Sequence, residues 1–233
     1  MPDYALGNAP PRAQSDIGSG PWCSEQQTAR FLLYKRALEA ALDTHALTLS
    51  PGPDAVRHMR HYLNNTGQDL PVDVAALMDR SAQLSKQYVS ELADAQAFAQ
   101  TLAVGRHHIH STRLAQGYFR QSQDANLFFA IGGYSYWGQA SVTVADDEQA
   151  GKRYEMDFSF EFFDRYNWDG GKQVTLAGVI ITDAFMQNFH RQCYAREYDL
   201  RGTLTQRLRW AHGHPAQGVH ARSTQASGTQ ARP

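Results

Sequence analysis

Cysteine and net charge are both scarce in this chain of 233 residues, which holds two Cys and balances 22 Lys and Arg against 23 Asp and Glu. Two cysteines cannot build a disulfide scaffold or a zinc ribbon. A formal charge of −1 lacks the basic excess with which nucleic-acid binders neutralise phosphates, so no nucleic-acid partner is expected. No stretch approaches the roughly 20 apolar residues that cross a bilayer as a helix. The opening Met1-Pro2-Asp3-Tyr4 has neither the basic start nor the apolar run of a secretory signal, so synthesis in the cytoplasm without a signal peptide is expected. Phosphate cradles of the G-x-x-x-x-G-K-[ST] and G-x-G-x-x-G types are absent, as is the G-x-S-x-G elbow of serine hydrolases.

What is present is apolar residue enough, 42%, for one substantial core. Residues 1–21, rich in Pro, Gly, Ala and Ser, read as a flexible arm, and residues 211–233, with Val219 as their one large apolar side chain, read as a disordered tail. Between them, 22–210 reads as a single α+β domain, helical over 22–104 and mainly β over 111–208. Ser24-Glu25-Gln26-Gln27 has the form of a capping box opening a helix whose inner face is Phe31, Tyr34, Leu38 and Leu42. Pro51-Gly52-Pro53 breaks it. A short helix then carries Val56, Met59 and Leu63 inward and ends at Asn64-Asn65-Thr66-Gly67. Asp73 caps a turn, and a helix from about Ala82 to Leu102 follows with Leu84, Tyr88, Leu92 and Ala95 on one face. Beyond Ser111 the period becomes two. Residues 126–137 read as an aromatic strand. Tyr154, Met156, Phe158, Phe160 and Phe162 alternate with Glu155, Asp157, Ser159 and Glu161, which demands one buried and one wet face. Residues 172–181 read as a strand, 183–194 as a helix that Asp183 caps, and 197–205 as a last strand. The expected fold is therefore N-terminal helices followed by an antiparallel β-meander or open barrel with one late helix.

Three places carry candidate chemistry. Cys23 and Cys193 offer a thiol nucleophile or, in an oxidising compartment, a pair; their separation in sequence says nothing of their distance. His107, His108 and His110 form a dense imidazole run in an expected loop, and His58 and His61 sit at i,i+3, but no carboxylate or Cys stands beside them at ligand spacing. The loop after the strongest strand, residues 163–172 (FDRYNWDGGK), gathers Asp164, Arg165, Tyr166, Asn167, Asp169 and Lys172 beside a Gly pair. Phosphoester chemistry wants such a mixture, with carboxylates to hold a metal or activate water and cations to balance developing charge. The bland alternative is a polar turn with a surface ion pair.

The order of elements, with His61-Tyr62-Leu63, the Val72-Asp73-Val74 segment, and Asp164 and Tyr166 in the frame Asp-x-Tyr, resembles the activity domain of the colicin M family over roughly residues 55–203. Members of that family are bacteriocins that cleave lipid II, the undecaprenyl-linked peptidoglycan precursor, in the periplasm. Asn167 stands where the family has a second Asp, and Gln173 and Val174 fall where it has a His-Arg pair. The chain also looks like toxin domains delivered by type VI or other contact-dependent systems, with which it shares the 164–172 loop and the later 189–199 segment.

The resemblance implies an antibacterial toxin acting on the envelope of a target bacterium as a phosphoesterase on a lipid-linked pyrophosphate. Asp164, Tyr166 and Asp169 would be catalytic, His190 and Arg191 would supply the missing pair, and Arg165, Asn167 and Lys172 would hold phosphate. It implies Mg²⁺, lipid II or another envelope component as target, a cognate immunity protein and a delivery apparatus that carries the protein to the periplasm. The alternative keeps the fold without the enzyme, as a membrane-perturbing or binding toxin that uses residues 127–137 as an exposed aromatic strand.

Overall fold

The computed structural model describes residues 3–45, 52–149, 151–168, 171, 173–176 and 179–216. The elements follow in the order β1 (Tyr4–Leu6), α1 (Ala29–His45), α2 (Pro53–Leu63), β2 (Leu70–Pro71), α3 (Val74–Arg80), α4 (Ala82–Ala99), β3 (Gly105–Ser111), β4 (Ala115–Tyr118), α5 (Ala125–Ala130), β5 (Gly133–Asp147), β6 (Gly151–Tyr166), β7 (Gln173–Leu176), β8 (Val179–Thr182), α6 (Asp183–Arg191) and β9 (Tyr198–Ala211). The fold is α+β around an open, mixed sheet in the order β1-β3-β5-β6-β9-β2, with β4 on β5; it does not close into a barrel. A separate hairpin joins β7 to β8.

The alternation along β6 sets the layers. Tyr154, Met156, Phe158 and Phe160 are fully buried, while Asp157 faces solvent. Against that apolar face lies α4, whose Tyr88 meets the rings of Phe158 and Phe160 at 6.0 and 5.6 Å. The long antiparallel register of β6 with β9 carries the sheet past α4, pairing Asp164 with Leu200, Arg165 with Asp199 and Tyr166 with Tyr198. At that end α2, α5 and α6 close over the sheet, and α1 packs on α6 through Phe31 against Phe185 and Phe189.

Several expectations change. The run 126–137 is not one strand: Asp124 accepts the amide of Leu127 at 2.9 Å and caps α5, and only from Gly133 does the chain enter β5. A short apolar run has no period that separates helix from strand, and here the cap decides. Asn126 of α5 then accepts the amides of Asp54 and Ala55, satisfying the open start of α2. Leu127 and Tyr134 are buried, so the exposed aromatic strand of the alternative reading is not there. The imidazole run is strand β3 rather than a loop, with His107, His108 and His110 each bonded separately to Ala103, Ser141 and Ser111. The strand expected over 172–181 is the β7–β8 hairpin, and Thr182, not Asp183, caps α6. Helix α1 opens at Ala29, not at Ser24, because the preceding residues are drawn onto α6: the Glu25 amide donates to the Arg191 carbonyl. The expected arm is laid along the molecule, from β1 on β3 to a disulfide between Cys23 and Cys193. At the other end β9 runs to Ala211, and Ala216 accepts from Gln96; the rest of the expected tail lies outside the described residues. Among the described residues no helix is long and apolar enough to cross a membrane.

Candidate functional site

The expected loop begins inside a strand: the pairing of β6 with β5 ends at Phe163 and Ser135, but β6 runs on to Tyr166, held there by its pairing with β9. The two faces of that overhang bear different chemistry. Asp164 and Tyr166 share the phase of the buried aromatic row and turn toward the helices; Arg165 and Asn167 take the opposite phase.

On the helix side, Asp164 and Asp183 line one cavity of about 390 Å³. Its apolar wall comes from Val56 and Met59 of α2, Phe129 and Ile131 around the end of α5, Tyr134 of β5 and Ile181 of β8. Asp183, the first residue of α6, is 4% exposed. Tyr166 sits between the carboxylates and an aromatic box, stacked on Tyr198 at 5.1 Å with Trp168 edge-on at 5.7 Å. Burial raises its phenol far above the ordinary range, and the charges of Asp183 and Asp164 push it the same way. It therefore stays neutral, a donor and a wall rather than an anion.

On the opposite side Arg165 is a hub, reaching Asp199 at 3.0 Å, Glu197 at 3.6 Å and Asp16 at 3.7 Å. Glu197 is 3% exposed and is satisfied by the Ser19 amide at 3.0 Å, the Ser19 hydroxyl and the Trp168 amide at 3.3 Å. Ser15 donates to both oxygens of Asp199, and Asn167 donates to Asp16 at 2.6 Å. Gly18 is required where the arm crosses: its φ is +51°, and a Cβ there would run into the Glu197 carboxylate. Buried carboxylates are stable only when bonded in this way, and the end of β6 with residues 167 and 168 is thereby fixed to both β9 and the arm.

The expected site residues fall in three groups. Asp164, Tyr166, Arg165 and Asn167 come together around the cavity. Neither His190 nor Arg191 lines it. The His190 ring is spent on backbone, Nε2 donating to the Gly20 carbonyl at 3.0 Å and Nδ1 accepting the Glu197 amide at 3.2 Å, and burial lowers its pKa. Arg191 pairs with Glu25 at 3.3 Å. Asp169 and Lys172 lie outside the described residues. Asp183 was missed. Its position at a strand-to-helix junction reads as a cap, and only tertiary folding brings it to the cavity that Asp164, 19 residues away in sequence, also lines.

A Mg²⁺ ion binds through one or two carboxylates plus substrate phosphates and water, and Asp16, Asp164 and Asp183 are the carboxylates that line the cavity. Among the described residues no three His, Cys, Asp or Glu side chains form a metal-binding group on their own.

No protein-family model and no curated protein sequence matches the chain. In structure it is weakly similar to PaeM, a colicin M-like bacteriocin produced by Pseudomonas aeruginosa, with a TM-score of 0.33 and 10% identity. The likeness covers 69% of this chain and 52% of that one, so the chain spans about half of that bacteriocin's length.

Proposed function

We propose that the chain is an antibacterial toxin that acts on the envelope of a target bacterium by cleaving a lipid-linked pyrophosphate, lipid II being the first substrate to try. The observation that carries this reading is that two carboxylates, Asp164 and Asp183, line one cavity of about 390 Å³ that also has an apolar wall. The Asp-x-Tyr frame shared with the colicin M family supports it from the sequence side. A hydrocarbon chain gains by lying on the apolar wall, which leaves the phosphoester at the carboxylates.

In this scheme Asp164 acts as base toward the attacking water and Asp183 holds the opposite side of the reacting group. Tyr166, kept neutral by burial and stacked on Tyr198, excludes water at the carboxylates. Arg165, paired with Asp16, Glu197 and Asp199, fixes the end of β6 that carries Asp164. His190 and Arg191 hold the arm and α6 rather than move protons. Among the described residues the cavity has Asp16, Asp164 and Asp183 against Arg165 alone, so an anionic substrate enters with a compensating cation. Mg²⁺ held by Asp164 and Asp183 would supply that charge and stabilise the departing pyrophosphate.

Directed expression tests the reading. The chain is produced in a sensitive bacterium and sent in turn to the cytoplasm and the periplasm, with lipid II products and membrane potential followed. Lysis confined to the periplasmic form, with lipid II loss and abolished by Asp164→Ala, is the expected result. Depolarisation without lipid II loss would instead establish a membrane-perturbing toxin, and no phenotype in either compartment would remove toxicity altogether.

A further inference from the structure

The arm segment 8–22 crosses the open side of the site with little to hold it there by burial. Its two large apolar side chains, Ile17 and Trp22, are 83% and 40% exposed. What binds it is polar: Ser15 on Asp199, Asp16 on Asn167 and Arg165, the Ser19 amide on Glu197, and the Gly20 carbonyl on His190. Ser19 is the one buried residue of the segment, and the remaining contacts, being open to solvent, offset little of the entropy lost when 15 residues are fixed. One end of the segment is held by β1, where Tyr4 is buried and Ala5 pairs with His110. The other end is held by the Cys23–Cys193 disulfide, just beyond the last turn of α6, with a Cα separation of 4.6 Å. Both half-cystines sit in the left-handed region, at φ 59° and 62°, a conformation that favours glycine and that surrounding structure must impose. Both are partly accessible, so thiol reagents reach them. The segment's contribution to the site is direct: Gln14 and Asp16 line the cavity of Asp164 and Asp183, and Ser15 and Ser19 satisfy the carboxylates that hold Arg165.

We infer that Cys23 and Cys193 are a redox modification site that latches the arm. With the disulfide formed, residues 8–22 are seated and the cavity has its outer wall; with both thiols reduced, the segment leaves, while β5, β6 and α4 keep their packing. The oxidant is a disulfide-bearing thiol oxidant. One cysteine thiolate attacks a sulfur of that disulfide and expels a thiolate. The second cysteine thiolate attacks the mixed disulfide and expels the other. The two cysteines lose two electrons and two protons overall, and the oxidant becomes two thiols. A chain made in a reducing compartment therefore has an open, unfinished site until it reaches an oxidising one.

Amide hydrogen exchange on the full chain, independent of any activity, tests this. The protein equilibrated with oxidised glutathione is compared with the protein in excess dithiothreitol and with Cys23→Ser. The Ser19 and Trp168 amides, both bonded to Glu197, are expected to exchange at least tenfold faster in the reduced protein and in the variant, with the β5–β6 hairpin unchanged. The reduced wild type carries the test if Cys23→Ser misfolds. Three results would each overturn the latch: unchanged protection of residues 8–22 on reduction, loss of protection throughout the sheet, or both thiols remaining open to alkylation after oxidised glutathione.

Discussion

Asp183 makes the sharpest prediction at the scale of one residue. If it works beside Asp164, then Asp183→Asn removes a carboxylate and changes almost no volume. Lipid II cleavage is expected to fall by at least about a hundredfold, the usual contribution of a positioned acid or base, with a melting transition displaced by only a few degrees. Cleavage at wild-type rate in that variant would remove Asp183 from the site. His58 makes a second. It is 1% exposed, and burial together with the Arg57 charge lowers its pKa from 6.5 to about 4. The unfolded chain therefore takes a proton near pH 6.5 that the folded chain refuses until near pH 4. The neutral ring costs nothing above pH 6.5, and folding stability is lost as pH falls from about 6.5 to about 4, by up to about 3 kcal/mol. His190, lowered by burial as well, adds to the same acid limb. Denaturant midpoints between pH 7 and 4 should show this slope, and His58→Gln should flatten part of it. At this scale the sequence exposed Asp164, Tyr166, Arg165 and Asn167 because they are neighbours in sequence at the end of β6. It hid Asp183, Glu197, Asp199 and the arm residues, which meet that segment only through the β6–β9 register and the path of residues 8–22.

Among the elements, α5 is the one the hydrophobic pattern misassigned, and its own cap identifies it. Asp124 accepts the Leu127 amide and sits near Arg80, which also holds Asp54 at the start of α2. Asp124→Ala is expected to cost about 1 kcal/mol, the usual worth of an N-cap, measured by urea unfolding. Because Asn126 of α5 caps α2, and α2 supplies Val56 and Met59 to the cavity, the same variant should raise the substrate concentration needed for half-maximal cleavage. If neither quantity moves, α5 does not depend on its cap. The strands with clean alternation and the helices with long stripes, β6, α2 and α4, were legible because burial on one face leaves a period in the sequence. Short elements, β1, β4, α5 and the β7–β8 hairpin, span too few residues to leave a period to read.

For the molecule as a whole, the disulfide joins residues 170 positions apart, and tying that loop in the unfolded chain is worth about 5 kcal/mol by chain entropy. Reduction should therefore lower the melting midpoint by on the order of 10 °C while leaving a cooperative transition, because the aromatic core of β6 and α4 is packed by Tyr88, Phe158 and Phe160 and not by residues 8–22. A reduced protein that melts at the same temperature would show that the bond does not form in solution. The two cysteines, too few for a scaffold, are thus placed where one bond controls how complete the site is. Charge follows the same division: the balance near zero over the whole chain hides an acidic cavity, which the composition could not reveal.

The proposed catalytic role of Asp164 is tested most directly by cleavage of purified lipid II by the oxidised full-length chain in the presence of Mg²⁺, with Asp164→Asn alongside. Release of a lipid-free headgroup by the wild type, reduced at least about a hundredfold in the variant whose circular dichroism is unchanged, is the predicted result. Equal release by both proteins, or none by the wild type, would contradict it.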